Sequence, residues 1–378
     1  MTLRSYPGYM LIGSSKPSLT TRPVSVTAFL DGNARMIEPP VMRGHDQFER
    51  ASQNRPLDYH VTGQRREFSQ GVVEGAGFLA GSGAIAALGA AVGAQFGPEA
   101  GICVGLFAVP PAFIGARRLQ SAFTSKDFQP GPPADPSVLS ERFSNSLEKA
   151  RSGNPEGPQV AYISGHGSHK ELAHFKPQQL GAILNQNPVD LTVLDACNTA
   201  QLEVLSKLGA GAGDVVCSSH PVPAGGFPIE SLFDSPDKLG QSTYSESKGS
   251  TAHLSLVDNK KLVDKLMPSL DELAKQLKKG LDSGTKKQIH RALTKSRNPD
   301  LFGARAGLRP FLQNLGKEDL SAPCKEALDA SLNSLKEAVP QDTGWAVTFR
   351  VDGKENEALP PAWNGLFEEL GYRWKPFF

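Results

Sequence analysis

The chain has 378 residues, enough for two or three domains with a real core, and a formal net charge of +1 from 40 Lys+Arg against 39 Asp+Glu. That balance gives no reason to expect a nucleic-acid partner. Its four cysteines, Cys103, Cys197, Cys217 and Cys324, form no CxxC pair, which argues against a zinc ribbon and, at this length, against a disulfide framework. They read as reduced thiols.

Residues 1–67 read as a polar leader with little regular structure. Ser, Thr and Pro are frequent in the first thirty, and no signal-peptide pattern is present. One strand is predicted there, Val24 to Leu30, before an Asp31-Gly32 turn.

Residues 68–120 read as an apolar, Gly/Ala-rich helical hairpin. Between Glu67 and Ala116 there is no Lys or Arg, and Gly89, Gly93, Gly97, Gly101 and Gly105 recur at every fourth position. Small residues at that spacing let helix backbones approach closely. Arg65-Arg66 and Arg117-Arg118 flank the block, so both ends would stay on the cytoplasmic face if 71–116 entered a membrane. The second arm, from Gly101 to Ala116, is short for a ~30 Å hydrocarbon core and contains Pro110-Pro111. Two readings stand: a membrane hairpin, and a hairpin buried in the protein.

After the proline-rich stretch Gln129 to Pro136, residues 129–378 read as one α/β domain. Ser137 to Ala150 is predicted helical, Val160 to Ser164 a strand, Pro177 to Asn187 a helix and Leu191 to Ala196 a strand. Thr199 to Leu208 follows as a helix and Asp214 to Ser219 as a strand. This alternation predicts βαβ units and a mostly parallel sheet. A helical insertion is expected at about 255–340, then a strand from Trp345 to Val351.

Two motifs stand at the carboxyl ends of predicted strands, where open parallel sheets present reacting groups. One is Ile163-Ser164-Gly165-His166-Gly167-Ser168; the other is Leu194-Asp195-Ala196-Cys197-Asn198-Thr199. If the strands are neighbours, the His166 imidazole can serve the Cys197 thiol as general base. The predicted helix after Cys197 would favour its thiolate. The N–H groups of Gly167 and Cys197 could together face an oxyanion. Blander readings are a loop histidine and a core thiol. His166, His169 and His174 do not have the spacing of a metal motif, and no metal or cofactor is expected. Cys217 reads as core, His220 as a loop residue near the cleft, and the basic run Lys278 to Arg297 as a solvated helix face or a contact for anionic lipid.

A strand ending in His-Gly, then a second ending in acid-Ala-Cys, resembles the clan CD cysteine peptidases, with LTVLDACNTA most similar to CHAT domains and clostripain. The resemblance covers about Gln159 to Pro223. It implies a caspase-like three-layer α/β/α sandwich, His166 as base, Cys197 as nucleophile and Gly167 as oxyanion donor. Asp195 falls where clostripain-like members carry a pocket acid, which implies a preference for Arg or Lys before the cut. That fold has two strands ahead of the His-Gly strand, and only Val24 to Leu30 is found by pattern. The expected function is a membrane-associated cysteine endopeptidase acting on a protein or peptide, its catalytic domain facing the cytoplasm, and the leader and hairpin would suit a bacterial protein delivered into a host cell. The rivals are an inactive CHAT-like scaffold and a membrane-inserting toxin.

Overall fold

The structure is a computed structural model. It describes residues 24–31, 57–64, 85–87, 90, 135–168, 170–222, 227, 254–297, 305–342, 347–351 and 360–371. Apart from the helical residues 85–87 and 90, the apolar hairpin lies outside the described residues.

The chain order is β1 (Val24–Asp31), β2 (Leu57–Gln64), α1 (Pro136–Gly153), β3 (Gln159–Gly165), α2 (Pro177–Gln186), β4 (Leu191–Ala196), α3 (Leu202–Leu208), β5 (Asp214–Ser218) and β6 (Leu254–Asp258). A π-helical turn, Leu262–Leu266, leads into α4 (Met267–Lys279). The rest is α5 (Ser283–Lys295), β7 (Arg305–Gly307), α6 (Leu308–Leu315), α7 (Ala322–Ala338), β8 (Gln341–Asp342), β9 (Thr348–Arg350) and α8 (Pro361–Leu370). The main sheet has the order β2-β1-β3-β4-β5-β6-β8, and β7 pairs separately with β9. β2, β1, β3, β4 and β5 are mutually parallel, while β6 runs antiparallel to β5 and β8 antiparallel to β6. This is the expected α/β class with a mostly parallel sheet.

The expectation of a leader with little regular structure to residue 67 is corrected. The two strands described there belong to the sheet, with β1 paired to β2 on one side and to β3 on the other. The domain therefore does not begin at 129. β2 also supplies the second early strand that pattern reading does not find. Its signal is present in Leu57, Tyr59 and Val61 alternating with Asp58, His60 and Thr62 after Pro56.

β3 and β4 are central, and every residue in them is buried. That is why they read as continuous apolar runs rather than alternating ones. Helix α1 starts at Asp135, whose carboxylate accepts the Ser137 N–H at 2.8 Å. Its Leu139, Phe143 and Leu147, four apart, form one buried stripe. Phe143 meets Phe29 of β1 with ring centroids 5.9 Å apart and Phe175 at 5.7 Å, and Phe29 meets Phe175 at 4.5 Å. This trio pins the loop after β3 to the sheet, and removing one ring would cost about 3–5 kcal/mol.

Helices α1 to α8 each add buried apolar side chains to one cluster, which also holds Phe29, Ile163, Leu194 and Val215. The second cluster, on the alternate strand positions Val26, Val160, Tyr162, Val193 and Val216, contains no residue of these helices; beyond the strands it has only Val222 and Phe227 among described residues. The C-terminal helices therefore extend the first core. Arg309 of α6 ties them to the sheet edge through Asp342 of β8, with its Nε at 3.0 Å and Nη2 at 2.7 Å from Oδ2.

Candidate active site

The register of β3 on β4 decides the arrangement. Gly165 is the partner of Ala196, and both are the last residues of their strands. His166 and Cys197 are each the next residue, so they leave the sheet side by side, one strand spacing of ~4.8 Å apart at the backbone. His166 is exposed and Cys197 half-buried.

Gly167 is required for reasons of space. A Cβ there would stand 2.1 Å from the Cys197 carbonyl oxygen and 2.9 Å from its backbone nitrogen. The Gly167 and Cys197 backbones thus lie against each other, as a pair of N–H groups sharing one oxyanion would need. The loop beyond is held by hydrogen bonds: Ala173 N–H donates to the His166 carbonyl at 2.9 Å, and Ser168 N–H to the Glu171 carbonyl at 2.8 Å. Ala173 and His174 are left-handed, with φ of 48° and 75°. Such backbone costs about 1 kcal/mol or more per residue. It is held in place by fully buried Leu172 and Phe175 on either side. His174 Nδ1 lies 3.5 Å from Glu171 Oε1.

The Cys197 turn continues through Asn198, at φ 55°, a conformation asparagine tolerates. The helix after it is shorter than predicted. It begins at Leu202, not Thr199, with Gln201 at its N-cap. Cys197 is therefore not at a helix N-terminus, and the help expected from the helix dipole, which fades within one turn, does not reach it.

The loop after β5 meets the sulfur. The Val222 N–H donates to Cys197 Sγ at 3.3 Å. Asn198 N–H donates to the His220 carbonyl at 3.1 Å, Ala200 N–H to the Ser218 carbonyl at 2.8 Å, and Ser218 N–H to Thr199 Oγ1 at 3.1 Å. His220 is buried rather than on a cleft rim, with Nδ1 2.9 Å from Ser219 Oγ.

Asp195 lies two residues deeper in β4 and is 3% exposed. The Tyr162 hydroxyl donates to its Oδ2, and Ser164 Oγ approaches the same oxygen at 3.4 Å. The motifs do not single out Tyr162; its signal is that it is the one aromatic residue of β3, on the same side of the strand as Ser164. Cys217 is buried in β5 with Sγ 3.8 Å from the Ser255 carbonyl, and burial pushes its thiol well above the ordinary range. Cys324 is also buried, so among the described cysteines Cys197 alone is not. No cluster of three potential metal ligands occurs among the described residues, and no described helix is long and apolar enough to cross a membrane.

The structure brings a strand-end His-Gly beside an acid-Ala-Cys turn. Residues 168–300 match the clostripain family. Clostripain-family proteins are clan CD cysteine peptidases, so the resemblance of the motifs is borne out, and by family this stretch is that of a cysteine endopeptidase. The match contains Asp195, Cys197 and Val222 and begins just after His166 and Gly167. No curated protein matches the chain significantly. Among solved structures, a secreted C11 cysteine protease from Bacteroides thetaiotaomicron with an irreversible peptide inhibitor is 13% identical. That likeness covers 88% of this chain and 91% of the other at a TM-score of 0.49. An inactive zymogen C11 protease from Parabacteroides distasonis is 14% identical, covering 65% and 79% at 0.44. The likeness to the family rests on the sequence match over residues 168–300.

Proposed function

We propose that the chain cleaves peptide bonds with Cys197 as nucleophile and His166 as general base. The observation that carries this reading is the Gly165–Ala196 register, which delivers both residues from adjacent strand ends. His166 takes the proton from Sγ, and the sulfur attacks the scissile carbonyl carbon. The resulting oxyanion is received by the N–H groups of Gly167 and Cys197. His166 then returns the proton to the leaving amine as the C–N bond breaks. Water, deprotonated by the same imidazole, hydrolyses the thioester; the exposure of His166 suits that second half.

Asp195 is proposed as the acid that favours Lys or Arg before the cut. A carboxylate that accepts the Tyr162 hydroxyl at this depth would attract the ammonium or guanidinium of Lys or Arg by charge pairing. The test is cleavage of a fluorogenic peptide library by the full chain, beside Cys197→Ala and His166→Ala. Turnover after Lys or Arg that falls by at least about a thousandfold in Cys197→Ala supports the proposal. A folded wild-type chain that neither cleaves peptides nor reacts with a peptide electrophile would instead be a binding scaffold.

We further propose, on composition alone, that 71–116 attaches the chain to a membrane. The full chain should then float with phospholipid vesicles in a density gradient; a chain that stays at the bottom excludes it.

A further inference from the structure

The structure assigns a part in the nucleophile's activation to the loop that leaves β5. We propose that the Val222 N–H, by donating to Cys197 Sγ, favours the sulfur as its anion and aims it, and that the lacing of residues 218–222 onto the 197–200 turn exists to hold that donor in place. This proposal builds on Cys197 being the nucleophile.

The donor is at hydrogen-bonding distance from the sulfur, 3.3 Å. A hydrogen bond donated to an ionised group is stronger than one to a neutral group, so it shifts the balance towards the anion. The donor is also preorganised. Ser218, Ser219, His220 and Thr199 are all at most 5% exposed. Three hydrogen bonds cross between the two turns, from Asn198 N–H, Ala200 N–H and Ser218 N–H. Inside the loop, Ser218 Oγ donates to the His220 carbonyl at 3.0 Å and accepts the His220 N–H at 3.2 Å. Val222 is flanked by Pro221 and Pro223 in the sequence. Neither proline has an N–H, so Val222 is the one residue of the three able to donate from its backbone.

The arrangement also fills a gap. With α3 beginning at Leu202, the helix dipole does not stabilise the anion. Among the described residues, the titratable groups that the strand ends and loops bring to this end of the sheet are His166 just after β3, His220 in the loop after β5 and Asp195 on the cysteine's own strand. Asp195 is a carboxylate and opposes a second negative charge. A fixed backbone dipole supplies the opposing preference without adding a titratable group. On ionisation the proton leaves Sγ for the His166 imidazole, and the N–H···S contact remains.

The test is alkylation of Cys197 in the full chain by iodoacetamide, followed by mass spectrometry of the Cys197 peptide. The anion displaces iodide, forming the S–C bond as C–I breaks, so the rate reports the ionised fraction without any peptide turnover. Rates are compared at about pH 7 and about pH 10, where an ordinary thiol is ionised. Val222→Pro removes the N–H and should slow alkylation about tenfold at the lower pH, while converging with wild type at the higher one. Val222→Ala keeps the N–H and separates loss of the donor from loss of packing; its ratio of rates should stay at the wild-type value. A Val222→Pro chain that is folded by circular dichroism and has the wild-type ratio overturns the proposal. If Val222→Pro does not fold, Ser218→Ala decides. It loosens the loop and should raise the ratio of the high-pH to the low-pH rate about threefold, and an unchanged ratio overturns the proposal. If the chain cleaves no peptide but the ratio responds, the role of Val222 stands and the peptidase reading fails. If peptides are cleaved and the ratio does not respond, the peptidase reading stands and the role of Val222 fails.

Discussion

β4 and β5 are parallel neighbours, and each has a cysteine near its carboxyl end. Val193 pairs with Val216, so Cys217 lies level with Leu194, three residues deeper than Cys197. The deeper sulfur is sealed between sheet and helices, and burial holds its proton on. The shallower one has just cleared the last strand residue and gains a partly open face and a backbone donor from Val222, with His166 leaving the end of the neighbouring strand. Identical side chains at neighbouring strand ends thus become core filler or candidate nucleophile by their depth and by the face of the sheet they turn to. The lesson is geometric: a parallel sheet hides its polar backbone along its length and turns it outward only at the strand ends.

The comparison is broken most severely at Gly167. Gly167→Ala drives a methyl group into the Cys197 carbonyl and should lower kcat/KM for peptide cleavage by at least about a hundredfold, with the change in kcat. Retained activity would mean that the 167 backbone is not part of the oxyanion site. Exchanging the roles of the cysteines is the next test. Cys217→Ser should cost about 1–3 kcal/mol in urea unfolding by placing a hydroxyl in the core, while cleavage stays within about twofold. Loss of cleavage without loss of stability would make Cys217 functional.

The smallest effect lies at the opposite end of the same strand. Asp214 pairs with Asp258 across β5 and β6, and burial, with the charges of Asp258 and Asp190, raises its carboxyl from 3.8 to about 6 despite Lys261. The folded chain keeps this proton at pH values where the unfolded chain has released it. Stability therefore falls as pH rises from about 4 to about 6 and stays lowered above that. Asp214→Asn should gain about 1 kcal/mol near neutral pH, after discounting for solvent screening, and nothing below about pH 4. Thermal melts at the two pH values check this, and an equal gain at both would assign the effect to packing.

Much of the site is legible without coordinates, because the features that carry it are local. His-Gly after one apolar run and Asp-Ala-Cys after the next place both groups at strand ends as soon as the runs are parallel neighbours. Three things are not legible. β2 escapes pattern reading because its Leu57, Tyr59 and Val61 alternate with polar residues inside a region of polar composition. The sequence reading starts α3 at Thr199, three residues too early, because it cannot see that Thr199 spends its hydroxyl on the Leu194 and Ala196 carbonyls and the Ser218 N–H. Tyr162 and Val222 cannot be paired with Asp195 and Cys197 from the chain alone, because each contact crosses between strands or loops 25 or more residues apart.

By itself, then, the sequence determined the alternation of strands and helices, the strand-end position of His166 and Cys197, and the burial of Cys217, all of which follow from periodicity and local breaks in it. Only the tertiary structure decided which strands are neighbours, how the Gly167 and Cys197 backbones abut, and which donor faces the sulfur. Those depend on register and on loops laced across a sheet, and distance in space is not written in distance along the chain.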